Sequence, residues 1–98
     1  MKREEILEAA RKCVCGEREE DYGSPEDNFQ VIADLWGAYL RGYGYDIDEL
    51  QPWNVAAMMA LLKIARLASG RGTADSWIDL AGYAACGGEI QLRKEGKP

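Results

Sequence analysis

The chain has 98 residues, 30% of them charged and 47% hydrophobic, with a net charge of −5 and a pI near 4.7. This composition describes one globular domain, not a disordered chain, and no apolar run reaches the ~18 residues of a membrane span. The acidic balance argues against sequence-independent binding to DNA or RNA, which needs a basic face, but a small anion can still be held in a locally positive pocket.

Helical periodicity dominates, and no strand pattern is visible. The first helix is predicted from Lys2 to Cys15, with Ile6, Leu7, Ala10, Cys13 and Val14 at helical spacing and Gly16 as its stop. Its charged start, Met1-Lys2-Arg3-Glu4-Glu5, does not read as a signal peptide, so a cytoplasmic protein is expected, in the host cell if a phage encodes it. Glu17 to Gly23 is a polar connector. Ser24-Pro25-Glu26-Asp27 is a helix start: Ser as N-cap, Pro at the first helical position, acids in the first turn. The second helix carries Phe29, Ile32, Ala33, Trp36, Tyr39 and Leu40 on one face and stops at Gly42 and Gly44. Tyr43 to Gln51 is the longest loop, with room for a short helical turn over Asp46 to Leu50.

Pro52 again fits a first helical position. The third helix, Trp53 to Ala68, is apolar nearly all round, which suits a central helix or a subunit interface. Gly70 caps it. Thr73 can cap the fourth helix, which is expected to end near Gly87-Gly88. Residues 1–90 read as a single helical domain and 91–98 as a charged tail that frays. The fold class is therefore all-α, a compact four-helix bundle. So short a domain buries only roughly 60–65% of its unfolded surface, and an alanine-rich core adds little per residue. Homo-oligomerisation is expected to complete the core.

Several groups can carry chemistry. Lys63 and Arg66 are the charges of the third helix, and at i,i+3 they share a direction. Asp75 and Asp79, one turn apart on the fourth helix, share a face that continues through Gly82, Tyr83 and Cys86. A carboxylate among apolar neighbours needs a partner. Two roles are open: an ion-pair network across the helix hairpin, or a cationic pocket for a phosphate that the aspartates orient. Arg18, Asp21, Tyr22 and Asn28 flank the start of the second helix, where free N–H groups favour an anion. Glu17 and Glu20 form an E-x-x-E pair that, facing Asp75 and Asp79, could bind Mg²⁺. Three tryptophans and five tyrosines offer stacking surfaces as well as packing. Without histidine there is no Ser-His-Asp or Cys-His arrangement. The three cysteines, Cys13, Cys15 and Cys86, read as reduced thiols and not as a zinc site.

The series Arg18-x-x-Asp21-Tyr22-Gly23, Asn28-Phe29, Lys63-x-x-Arg66 and Asp75-x-x-x-Asp79-x-x-x-Tyr83 resembles a family of small proteins encoded in phages and prophages, over nearly the whole chain. More distantly it is similar to the nucleotide-modification-associated domain family and to the MazG-like all-α NTP pyrophosphatases. Those enzymes bind Mg²⁺ through E-x-x-E on one helix and E-x-x-D on the next. Here Ser76 stands where the first acid of E-x-x-D belongs, and the two acidic pairs are separated by more chain. The resemblance implies a protein that binds a nucleotide-like ligand through Arg18, Asp21, Tyr22, Asn28, Lys63, Arg66, Asp75, Asp79 and Tyr83. By analogy with small phage proteins, it would sequester a host defence signal nucleotide. The alternatives are Mg²⁺-dependent pyrophosphohydrolysis, with Glu17, Glu20, Asp75 and Asp79 as ligands, and an acidic protein that inhibits a host enzyme. No cofactor is expected outside the Mg²⁺ alternative. The expected partners are the ligand and further copies of the chain, with no membrane and no sequence-specific nucleic acid.

Overall fold

A computed structural model describes residues 1–15 and 24–97. Within them lie four helices and no strand: α1 (Arg3–Val14), α2 (Pro25–Tyr43), α3 (Pro52–Ala68) and α4 (Ala74–Lys94).

Each helix starts where a side chain satisfies backbone N–H groups that have no helical partner. The Lys2 N–H donates to Glu5 Oε1 at 3.0 Å, and Ser24 Oγ accepts from the Asp27 N–H at 3.2 Å. The Gln51 N–H donates to Asn54 Oδ1 at 2.8 Å, and the Thr73 N–H to Ser76 Oγ at 3.2 Å. Pro25 and Pro52 occupy first helical positions, as their fixed φ favours. α2 ends on Gly44, whose φ of 116° only glycine adopts readily, and the Tyr45 N–H then closes on the Leu40 carbonyl at 3.0 Å. Gly70 ends α3 in the same way, with φ 77°. The stop read at Gly16 lies outside the described residues.

Two expectations about element boundaries are corrected. Residues 45–51 contain no helical turn and run as an irregular connection into Pro52. α4 does not stop at Gly87-Gly88 but continues to Lys94, so the first residues of the expected tail are helical. The reason is packing. α3 and α4 form an antiparallel hairpin, and a Cβ on Gly87 would sit 2.9 Å from the Ala56 Cβ. Glycine here allows two helices to approach closely, and tertiary contact outweighs its poor helix propensity.

α4 packs most extensively on α3 and next on α1, while α2 leans mainly on α3. Among the described residues the buried apolar positions are few, Ala10, Ala33, Val55, Ala56, Ile78 and Ile90, and the largest side chain buried completely is Val55. Large side chains remain outside. On α3, Met58, Leu61, Leu62 and Ile64 are exposed, together with Ala57, Ala65 and Ala68. At 100° per residue these positions span roughly 160°, a little under half of the helix circumference. Tyr39, expected on the inner face of α2, is 68% exposed.

The bundle is accordingly open, not compact. Its radius of gyration is 14.6 Å, where a domain of this length normally has about 13 Å. Its accessible surface is 7126 Å², against roughly 5,600 Å² for a folded monomer of this mass. No described helix is long and apolar enough to cross a membrane.

Candidate functional site

The α3–α4 hairpin brings half of the predicted charge cluster together. Lys63 Nζ lies 3.1 Å from Asp79 Oδ2. The Lys63 side chain is only 13% exposed and that of Asp79 is 34% exposed. The lysine stem is enclosed while its ammonium meets a carboxylate that still sees water. The other half does not assemble. Arg66 and Asp75 are both exposed, and neither forms an ion pair among the described residues. Asp75 instead sits in the first turn of α4, where the helix dipole favours a negative charge.

Tyr83, one turn beyond Asp79, is half-buried with its ring centroid 6.2 Å from that of Phe29 at 38°. Next to it, a Cβ on Gly82 would meet Val14 Cγ1 at 3.1 Å. The end of α1 and the first turns of α2 therefore both reach α4 at Gly82–Tyr83. Asn28 is exposed in the first turn of α2. Arg18, Asp21 and Tyr22, and the acids Glu17 and Glu20, lie outside the described residues.

Among the described residues no three His, Cys, Asp or Glu side chains come close enough to hold a metal ion. Ser76 is buried, and its hydroxyl accepts the Thr73 N–H at the start of α4. At the position where the pyrophosphatase pattern has an acid, this chain has a capping group. Cys13, Cys15 and Cys86 form no disulfide with one another. On the surface of α1, hydrogen bonds from the Arg11 guanidinium hold the Glu8 carboxyl below its ordinary value.

A concave site lies elsewhere. Where the starts of α2 and α3 meet the end of α4, a cleft of about 310 Å³ is lined by Glu26, Gln30, Gln51, Pro52, Trp53, Ile90, Arg93 and Lys94. Pro52 and Ile90 are buried and Trp53 is half-buried, so the floor is apolar. Arg93 Nη1 holds Glu26 Oε1 at 3.0 Å and its Nη2 holds Glu89 Oε1 at 3.0 Å, which fixes the guanidinium at the rim. The lining carries Arg93 and Lys94 against Glu26, and Glu89 just outside it also holds Arg93, so two cations are balanced by two carboxylates and the cleft carries no excess negative charge on an acidic protein. The first turn of α3 opens into it and carries no acid. Arg93 is 14 residues beyond Asp79, roughly 21 Å along the helix. The cleft and the Lys63–Asp79 pair are thus separate places. Sequence reading missed the cleft because ending α4 at Gly87 leaves Arg93 and Lys94 in a tail. Trp53 beside Pro52 was the available signal.

No solved structure matches the chain. It is 42% identical over 90 residues to the Gene 55 protein of Mycobacterium phage L5, covering 92% of this chain and 54% of that protein. With the Gene 55 protein of Mycobacterium phage D29 it shares 45% identity over 83 residues, covering 85% of this chain and 51% of the relative. The chain thus spans about half the length of these curated relatives. Residues 5–91 match the model of a family described as a domain of unknown function, DUF6378. With nearly the whole helical unit inside that match and phage proteins among its relatives, the chain belongs to the DUF6378 family.

Proposed function

We propose that this protein binds a nucleotide-like anion in the cleft between Trp53 and Arg93. The observation that carries the reading is the cleft itself: an apolar floor with a tryptophan, two side-chain amides and two cations, of which Lys94 forms no ion pair among the described residues. A base can lie against Trp53, Gln30 and Gln51 supply amide donors and acceptors, and Arg93 with Lys94 meets a phosphate. Arg93, already immobilised by Glu26 and Glu89, loses less entropy on binding than a free arginine would. Capture of a host defence signal nucleotide is the role such binding would serve in a phage.

The Lys63 cluster is the rival location. Its cation is enclosed and partnered by Asp79 at 3.1 Å, whereas the cleft offers, beside the paired Arg93, the exposed Lys94, which forms no ion pair among the described residues. Calorimetry of the full chain with AMP, a cyclic dinucleotide and ADP-ribose separates the two. In the cleft reading, Arg93→Ala with Lys94→Ala weakens binding roughly tenfold or more, while Lys63→Met leaves it unchanged. The reverse pattern moves the ligand to Lys63. No heat with any of the three ends the reading. Pyrophosphate released from a dNTP with Mg²⁺, and lost in Asp79→Ala, would replace binding by hydrolysis.

The protein is also proposed to work as a homo-oligomer. The support is the broad exposed apolar face of α3 and a surface roughly 1,500 Å² larger than a monomer of this mass needs. An obligate dimer buries about 1,000–2,500 Å² per partner.

A further inference from the structure

The end of α2 carries an aromatic stack that the proposed ligand site does not use. Tyr39 and Tyr43 are one helical turn apart, and their ring centroids lie 6.2 Å apart at 26°. The left-handed turn at Gly44 then folds Tyr45 back, so that its ring lies 5.7 Å from that of Tyr43 at 15°. Three rings form one ladder, yet they are 68%, 72% and 57% exposed. Packing does not explain them, because none contributes to the core. Tyrosines displayed in this way, rigid and amphipathic, are the residues that anchor protein interfaces.

The neighbourhood selects the partner by charge. Between Ala38 and Leu50 the chain carries Asp46, Asp48 and Glu49 against the single cation Arg41, and all three acids are exposed. Ring faces attract cations and guanidinium planes stack on them, while the acids next in sequence add a negative field. The same acids repel a phosphate backbone, so the ladder does not suit stacked nucleic-acid bases. We infer that the Tyr39–Tyr43–Tyr45 ladder and its acidic loop are a docking surface for an arginine-bearing segment of a partner protein. One guanidinium per exposed ring face, with acids at the rim, is the complementary arrangement.

The test uses the full chain and a fluorescein-labelled peptide of alternating arginine and glycine, read by anisotropy at low and physiological salt. Binding is expected to weaken with salt and to fall on the order of fivefold or more in Tyr43→Ala. It is also expected to fall in Asp46→Asn with Asp48→Asn, which keeps the rings, and when lysine replaces the peptide's arginines. Because these side chains are exposed, circular dichroism should show unchanged helix in every variant. Equal binding of the peptide by wild type and Tyr43→Ala overturns the inference. So does tighter binding of a labelled oligonucleotide than of the peptide, or self-association that is lost in Tyr43→Ala, which would make a second copy the occupant.

Discussion

Lys63 and Asp79 show how burial decides what a charge does. Lys63 is the more enclosed partner, so removing Asp79 strands an ammonium that water barely reaches, whereas removing Lys63 leaves a carboxylate still a third exposed. Asp79→Ala is therefore expected to destabilise by about 1–3 kcal/mol, discounted from the cost of a fully buried pair because of that exposure. Lys63→Met, which keeps the apolar stem and removes the charge, should cost under ~1 kcal/mol. Urea unfolding of the two variants measures the difference. Equal losses would show that the pair is too solvated for burial to matter. The sequence offered an ion pair as one of two roles for Lys63, Arg66, Asp75 and Asp79, because a lysine inside an apolar helix and an aspartate on an apolar face both need partners. It did not announce that Arg66 and Asp75 stay in water, since both lie near helix ends where solvent is available.

At the scale of elements, helix starts were legible and one helix end was not. Starts are local chemistry: Ser24-Pro25, Gln51-Pro52 and Thr73 with Ser76 act within a turn. The end of α4 is not local. Gly87 and Gly88 look like a stop until α3 is laid beside them, and then Gly87 is a contact point against Ala56. The two glycines should therefore respond oppositely to alanine. Gly88→Ala meets nothing within 4 Å, so it should stabilise by up to about 1 kcal/mol through helix propensity. Gly87→Ala places its methyl 2.9 Å from the Ala56 Cβ and should lose about 1–2 kcal/mol net, as overpacking outweighs that gain. Thermal unfolding of both variants checks the sign of each change. Arg93 and Lys94 depend on the same continuation, because only an unbroken α4 carries them to the cleft.

The molecule as a whole exposes more surface than its size warrants, with large apolar side chains of α3 among it, and that has a direct consequence for assembly. Leu61, 61% exposed, lies well within the open face of α3. Leu61→Glu places a charge there, which a solvated face tolerates and a closed apolar interface does not. Sedimentation velocity should show a multimer for the wild type and a monomer for Leu61→Glu, with helix content unchanged. A wild-type monomer at tens of micromolar would assign the face to a different partner. By itself the sequence determined the all-α class, the four helices of the described residues, where each begins and the need of the Lys63, Arg66, Asp75 and Asp79 charges for partners, because periodicity, caps and lone charges act over a few residues. Only the tertiary structure decided that α4 runs to Lys94, that nearly half of α3 faces outward, and that a cleft carrying Arg93 and Lys94 forms around Trp53. Those features are set by how closely helices from distant parts of the chain approach one another, a distance that no local pattern encodes.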